Sequence, residues 1–395
     1  MQNPRPAPLI AIACGGTGGH FFPGLAVARE LIARGGEVTL LISPKEVDQQ
    51  AVQNASGLEI VTLPAVGLTR GHVPGFLRGF WNSFRVAKKL FNRRPPQAVL
   101  AMGGFTSAPP VLAGKICGAA TFLHESNTIP GRANRWLSHF VDRAFTGFPS
   151  AATRLHTKQS VVTGTPVRPQ FQPGPAAPAR VTLGLDAVRP VLLVTGGSQG
   201  AGGINDLVLA ALPELLRLLP ELQYLHLTGP HDVEKVRAAY ATAGAAAVVR
   251  PFLAEMELAL TAATLAVSRA GGSSLAELAA LRLPAILIPY PHAADDHQFH
   301  NARAFVEVGA ARMLGQQRAT PENFTRLVLE LAQKEGERSR IGVALAQWHS
   351  PDAAARIAET ILQAIPGRQT GARLENGGAA RAPLDLKLPV TSLKS

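Results

Sequence analysis

Short apolar runs alternate with longer amphipathic stretches along most of the chain, and glycines punctuate the joins. Leu9–Ala13 is apolar at every position, the mark of a strand buried on both faces. It breaks at Gly15-Gly16-Thr17-Gly18-Gly19-His20 and resumes with helical spacing from Pro23 to Ala33, closed by Gly35-Gly36. Val38–Ile42, Ile60–Leu63, Ala98–Met102, Thr121–Leu123 and Val161–Thr163 read as further short strands separated by helical stretches. Residues 168–180, RPQFQPGPAAPAR, are proline-rich and aperiodic, which predicts a linker. The pattern then restarts. Pro190–Thr195 breaks at Gly196–Gly203, a helix runs to Leu219, and Gln223–Leu227, Ala246–Val249, Leu265–Val267 and Ala285–Pro289 continue the series. The expected fold is α/β, with two doubly wound parallel-sheet domains over residues 1–167 and 181–350. A last periodic helix, Ala353–Ala364 within 351–366, is expected to pack back on the first domain, and 367–395 has no sustained apolar face and is expected to lack order.

Composition narrows the class. At 395 residues, 46% hydrophobic and 17% charged, the chain suits two folded domains. It has no apolar run of transmembrane length and no signal-peptide core, so a cytosolic location is expected, and two isolated cysteines, Cys14 and Cys117, agree with a reducing compartment. The net charge of +12 is uneven: Ile60 to His124 contains no acid but holds Arg70, Arg78, Arg85, Lys88, Lys89, Arg93, Arg94 and Lys115. Such a field attracts nucleic acid, anionic lipid or a polyphosphate. Nucleic acid is not expected, because the basic region is confined to part of one domain and lacks interleaved readout motifs. Phe76, Phe80, Phe84, Ala87 and Phe91 share one helical face there, which either buries against a sheet or docks on an anionic membrane.

The candidate chemistry sits in the glycine turns. Thr264 to Ala302 reads as strand, Gly271-Gly272 turn, helix from Ser273 to Arg282 with Ser273 or Ser274 as N-cap, and strand. Free N–H groups at that helix start suit an anion, while Glu277 one turn inside suits two vicinal hydroxyls, a pairing that implies a ligand with both phosphate and ribose. Gly196–Gly203 offers a second such start with the Ser198 hydroxyl. The first loop does not fit G-x-G-x-x-G, which weakens a dehydrogenase reading. His20 follows that loop at a helix start, where the dipole disfavours an imidazolium, so it is the candidate general base. With no D-x-D pair and no zinc spacing, neither a metal nor another cofactor is expected.

Taken in order, GGTGGHFFPGLAVA at Gly15–Ala28, HESN at His124–Asn127, GTPVR at Gly164–Arg168, GGSQGA at Gly196–Ala201, RAGGSSLAE at Arg269–Glu277 and Q-x-x-N-A at Gln298–Ala302 resemble the MurG family. The resemblance implies the GT-B architecture of two facing Rossmann-like domains. It implies inverting transfer of N-acetylglucosamine from UDP-N-acetylglucosamine to a lipid-linked muramoyl-pentapeptide, the undecaprenyl-pyrophosphoryl precursor of peptidoglycan. Carried over residue by residue, it lays Thr17, Gly18 and Gly19 against the acceptor diphosphate and donor sugar, and gives Ser198 to the donor. It lines the donor pocket with Gly272, Ser273, Ser274, Leu275, Ala276 and Glu277, the last on both ribose hydroxyls. Leu253 meets the uracil through its backbone, Gln298 reads the transferred sugar and Arg168 offsets diphosphate charge. Asn127 and Asn134 bond sugar or peptide, Asn134 on the acceptor side. The implied setting is peripheral, on the anionic cytoplasmic face of the inner membrane, with cell-wall synthesis and division proteins as further partners. Thr165, Ser126 and one extra residue before Gln298 depart from the family pattern. The rival readings are another GT-B glycolipid transferase and an NDP-sugar epimerase of similar build.

Overall fold

The computed structural model describes residues 7–16, 18–45, 57–67, 73–197 and 199–365. Arg70, Thr17, Ser198, Pro366 and the 367–395 segment lie outside the described residues. The first sheet comprises β1 (Leu9–Ala13), β2 (Glu37–Ile42), β3 (Glu59–Thr62), β4 (Ala98–Ala101), β5 (Ala120–Glu125), β6 (Arg143–Thr146) and β7 (Ser160–Val162). Its order is β3-β2-β1-β4-β5-β6-β7, all parallel. The second comprises β8 (Val191–Thr195), β9 (Gln223–Leu227), β10 (Ala247–Arg250), β11 (Leu265–Ser268), β12 (Ala285–Leu287) and β13 (Arg312–Met313), ordered β10-β9-β8-β11-β12-β13 and again parallel. Each order reverses beside its first strand, between β1 and β4 and between β8 and β11. Crevices at the carboxyl ends of strands flanking such reversals are where open α/β sheets bind ligands, and both reversals carry a glycine loop.

The central strands are buried at every residue, as a sheet covered on both faces demands. One face of the first sheet is covered by helices Gly18–Ala33 and Ala353–Ala364, with Ile10, Phe21, Leu25, Ile357 and Ile361 at or near zero exposure. The last described helix thus packs on the first domain. Helices Val73–Arg93 and Ala108–Ile116 cover the other face. Phe148, from the end of β6, packs instead in the second domain's core, against Phe305 and Trp348 with ring centroids 6.2 and 5.2 Å away.

Some elements differ from the pattern reading for physical reasons. The first helix begins at Gly18, and Pro23 lies inside it. A proline removes the donor for the carbonyl four residues earlier, here Gly19, and that oxygen is satisfied from the other domain, as described below. Helix Ala176–Leu183 starts within the proline-rich stretch; Pro178 falls in its first turn, where the missing N–H costs nothing, and Ala179 and Leu183 are buried. β6 opens on a charged residue and β13 has only two half-buried residues, so neither produced an apolar run.

Candidate active site between the two sheets

A cleft of about 830 Å³ opens between the carboxyl ends of the two sheets. On the first wall, Gly18, Gly19 and His20 follow β1. The His20 ring lies on the backbone after β4, where a Cβ on Gly103 would come within 2.8 Å of Nε2 and one on Gly104 within 3.2 Å of Nδ1. Both glycines have positive φ, 111° and 78°, so this close approach admits no side chain. The loop after β5 is organised by Glu125, which is 2% exposed. Its carboxylate accepts from the Asn127 N–H, Asn127 Nδ2, the Gly131 N–H and Asn134 Nδ2, each at 2.9 Å. Burial raises the Glu125 pKa against the pull of those four donors. Asn134 Nδ2 also donates to the His124 carbonyl at 3.0 Å. His124 itself is buried, and desolvation lowers its pKa to about 4.

On the second wall, Thr195, Gly196, Gly197 and Gln199 follow β8, and the helix start at Gly272 has no side-chain cap. The N–H groups of that helix start are left for an anion. Its N-cap is Gly271, not Ser273 or Ser274. Buried Asn205 donates through Nδ2 to the Thr228 carbonyl and to Asp232, and its Oδ1 accepts from His226 Nε2–H at 2.9 Å. Glu277 lines the cleft one turn into the Gly272–Leu281 helix. Burial lifts its pKa to about 7, Arg168 pulling it down and Glu257 pushing it up. Gln298 Oε1 accepts from the Tyr290 N–H at 2.9 Å and the Ala270 N–H at 3.3 Å, which fixes the amide so that its NH₂ is the remaining donor. The chain before Gln298 makes a left-handed turn, with Asp295 at φ 52° and Asp296 at φ 49°. Asp295 holds that turn against the first domain by accepting from Arg135 at 2.5 Å.

Three further contacts tie the walls together. Ser273 Oγ donates to the Gly19 carbonyl at 2.6 Å, the oxygen left without a helical donor by Pro23. A Cβ on Gly272 would sit 2.1 Å from the Ser126 carbonyl, so only glycine lets the helix start approach that close. Asn301, fully buried, accepts from the Thr128 N–H and hydroxyl at 2.8 and 2.9 Å and donates to Asn127 Oδ1 and the Ala270 carbonyl at 2.9 and 3.0 Å. Both Oδ1 and Nδ2 bond across the domain boundary, and the bond to Ala270 anchors the amide within the second domain.

The glycosyltransferase family 28 N-terminal domain matches residues 10–146 and its C-terminal domain residues 191–357. A Pelobacter propionicus protein named UDP-N-acetylglucosamine–N-acetylmuramyl-(pentapeptide) pyrophosphoryl-undecaprenol N-acetylglucosamine transferase is 36% identical over 374 residues, covering 89% of this chain and 98% of its own length. One of the same name from Verminephrobacter eiseniae is 40% identical over 332 residues, 81% of this chain and 89% of its own. The crystal structure of Acinetobacter baumannii MurG superposes with a TM-score of 0.70 at 27% identity, covering 91% of this chain and all of that one. The chain belongs to the MurG family. A UDP-N-acetylglucosamine 2-epimerase superposes with a TM-score of 0.68 over 90% of this chain and 96% of its own, but at 15% identity, a likeness of fold alone.

Of the residues singled out from the sequence, Gly18, Gly19, His20, Asn127, Asn134, Arg168, Gly272, Ser273, Ser274, Glu277 and Gln298 all line the one cleft. Leu275 packs in the second domain's core at 1% exposure, Ala276 is not on the cleft wall, and Leu253 is 4% exposed while Pro251 and Phe252 line the cleft beside it. Thr17 and Ser198 lie outside the described residues. Asn127 has its side-chain amide committed to Glu125 and Asn301, which makes it a strut of the wall. Gly103, Gly104, Glu125 and Asn301 shape the site without having been singled out for it. A Gly-Gly pair directly after an apolar strand was the available signal for the first two.

Proposed function

We infer that the chain transfers N-acetylglucosamine from UDP-N-acetylglucosamine to the 4-hydroxyl of the muramoyl-pentapeptide on undecaprenyl pyrophosphate, the reaction for which its relatives are named. The observation that carries the reading is one cleft with His20 on one wall and, on the other, an uncapped helix start with Glu277 one turn inside it. The helix N–H groups and Arg168 receive the diphosphate, Glu277 accepts from the ribose hydroxyls, and the Gln298 NH₂ donates to the sugar. His20 takes the proton of the acceptor hydroxyl as its oxygen bonds the anomeric carbon from the face opposite UDP. The bond from that carbon to the diphosphate oxygen breaks, UDP leaves with the electron pair, and the configuration inverts. We propose that helix starts and arginine, without a metal, stabilise the leaving group. Purified protein given labelled UDP-N-acetylglucosamine should label a short-chain lipid-linked muramoyl-pentapeptide. Label found only as free amino sugar would favour an epimerase, and transfer to a different glycolipid would favour another GT-B transferase.

We place the enzyme peripherally on the anionic cytoplasmic face of the inner membrane, where cell-wall synthesis and division proteins are its further proposed partners. Helix Val73–Arg93 packs its phenylalanine face on the first sheet, and the apolar stripe beside that face is what supports docking. Ala87 and Phe91 are buried, with Phe80 and Phe84 packed on the same core, whereas Val73, Leu77 and Trp81 are 52%, 59% and 51% exposed on one stripe. Arg85 lies over the Trp81 ring at 5.2 Å, with Lys88 and Lys89 exposed beyond it. Apolar side chains flanked by cations suit an anionic bilayer surface. The protein should sediment with vesicles containing anionic lipid and much less with neutral ones, and binding equal in the two would remove the electrostatic part.

A further inference from the structure

Arg168 is the most constrained cation on the cleft wall. It follows β7 at the join of the domains, is 4% exposed, and holds its guanidinium 4.3 Å from the Phe22 ring of the first domain and 4.9 Å from that of Phe171. Nε and Nη2 are sealed from water and have no hydrogen-bond partner. Its ion-pair partner is Glu257, on helix Met256–Ala262 of the second domain, at 3.8 Å, too long for a hydrogen bond, and Glu257 Oε2 is likewise without a partner. Buried charges left this poorly satisfied call for an explanation. Burial lowers the Arg168 pKa, Glu277 and Glu257 oppose that, and Arg29 on helix Gly18–Ala33 adds to it.

We propose that Glu257 is a positioning residue that limits donor affinity, because it competes with the donor's diphosphate for the Arg168 guanidinium. The proposal rests on the reading of the cleft as a UDP-sugar site. With Glu257 and Glu277 both ionised, one cation faces two carboxylates, and a diphosphate entering that corner meets net negative charge. Removing one carboxylate without changing its shape leaves Arg168 free to turn its unused donors to phosphate. The same change acts on Glu277. The charged groups that face Glu277 are Arg168 at the domain join and Glu257 on the neighbouring helix; burial and Glu257 raise its pKa, and Arg168 lowers it. Without Glu257, Glu277 ionises at lower pH, so ribose binding persists to lower pH.

Titration calorimetry with UDP across pH 5.5 to 8.5 tests this. Glu257→Gln should bind UDP about fivefold or more tightly at neutral pH, and the pH below which affinity falls should move down. Glu257→Asp, which keeps the charge, should keep the wild-type pH break. Wild-type affinity and an unmoved break in Glu257→Gln would overturn the proposal, and weaker binding would overturn it too, making Glu257 a support for Arg168. A wild-type protein that binds no UDP would overturn the donor reading instead.

Discussion

Replacing His20 with Ala should lower turnover by about 10²- to 10⁴-fold, the range of a positioned general base, while UDP affinity measured by calorimetry stays close to that of the wild type. The split follows from geometry. His20 stands on the first wall against Gly103 and Gly104, whereas the groups proposed to hold the nucleotide stand on the second. Loss of both turnover and affinity would make His20 part of the donor pocket, and unchanged turnover would remove it as the base.

Glu277→Gln should raise the donor KM by roughly 10- to 100-fold with a smaller change in kcat, because hydrogen bonds to an ionised acceptor contribute about 1.5–3 kcal/mol each. In the wild type the donor KM should rise as pH falls through about 7, where the carboxylate takes up its proton. The stability effect has the opposite sign. Burial holds this carboxyl above its ordinary value, so its favourable contribution to folding is complete below about 4.5 and is lost as pH rises through about 7. The Gln variant should therefore melt higher than the wild type at pH 8, with the difference vanishing toward pH 4.5. Equal melting at both pH values would show that Glu277 ionises as a solvated carboxylate. Better folding with worse binding is expected of a group placed for a ligand.

Much of this was legible in the residues because it is written in local pattern. Buried parallel strands are continuous apolar runs, and glycine turns follow β1, β8 and β11, so the duplication, the two facing loops, and the positions of His20, Glu277 and Gln298 could all be read. What escaped depends on partners distant in the chain. Ser273 looks like an N-cap from its neighbours, yet its hydroxyl crosses 254 positions to Gly19. Glu125 sits within a motif read for its asparagines, and only the folded loop shows four donors converging on it. Glu257 is an ordinary helix-start acid until Arg168 is brought beside it by the return of the chain between domains.

Pro23 has a wider consequence. The Gly19 oxygen that it releases from the helix ladder is the one Ser273 grips, and His20 is the next residue. Whatever parts the two lobes must break that grip and carry the imidazole away from the nucleotide-side loop. On the role proposed for His20, separated lobes hold the base out of reach of the sugar, so transfer waits until both lobes have met.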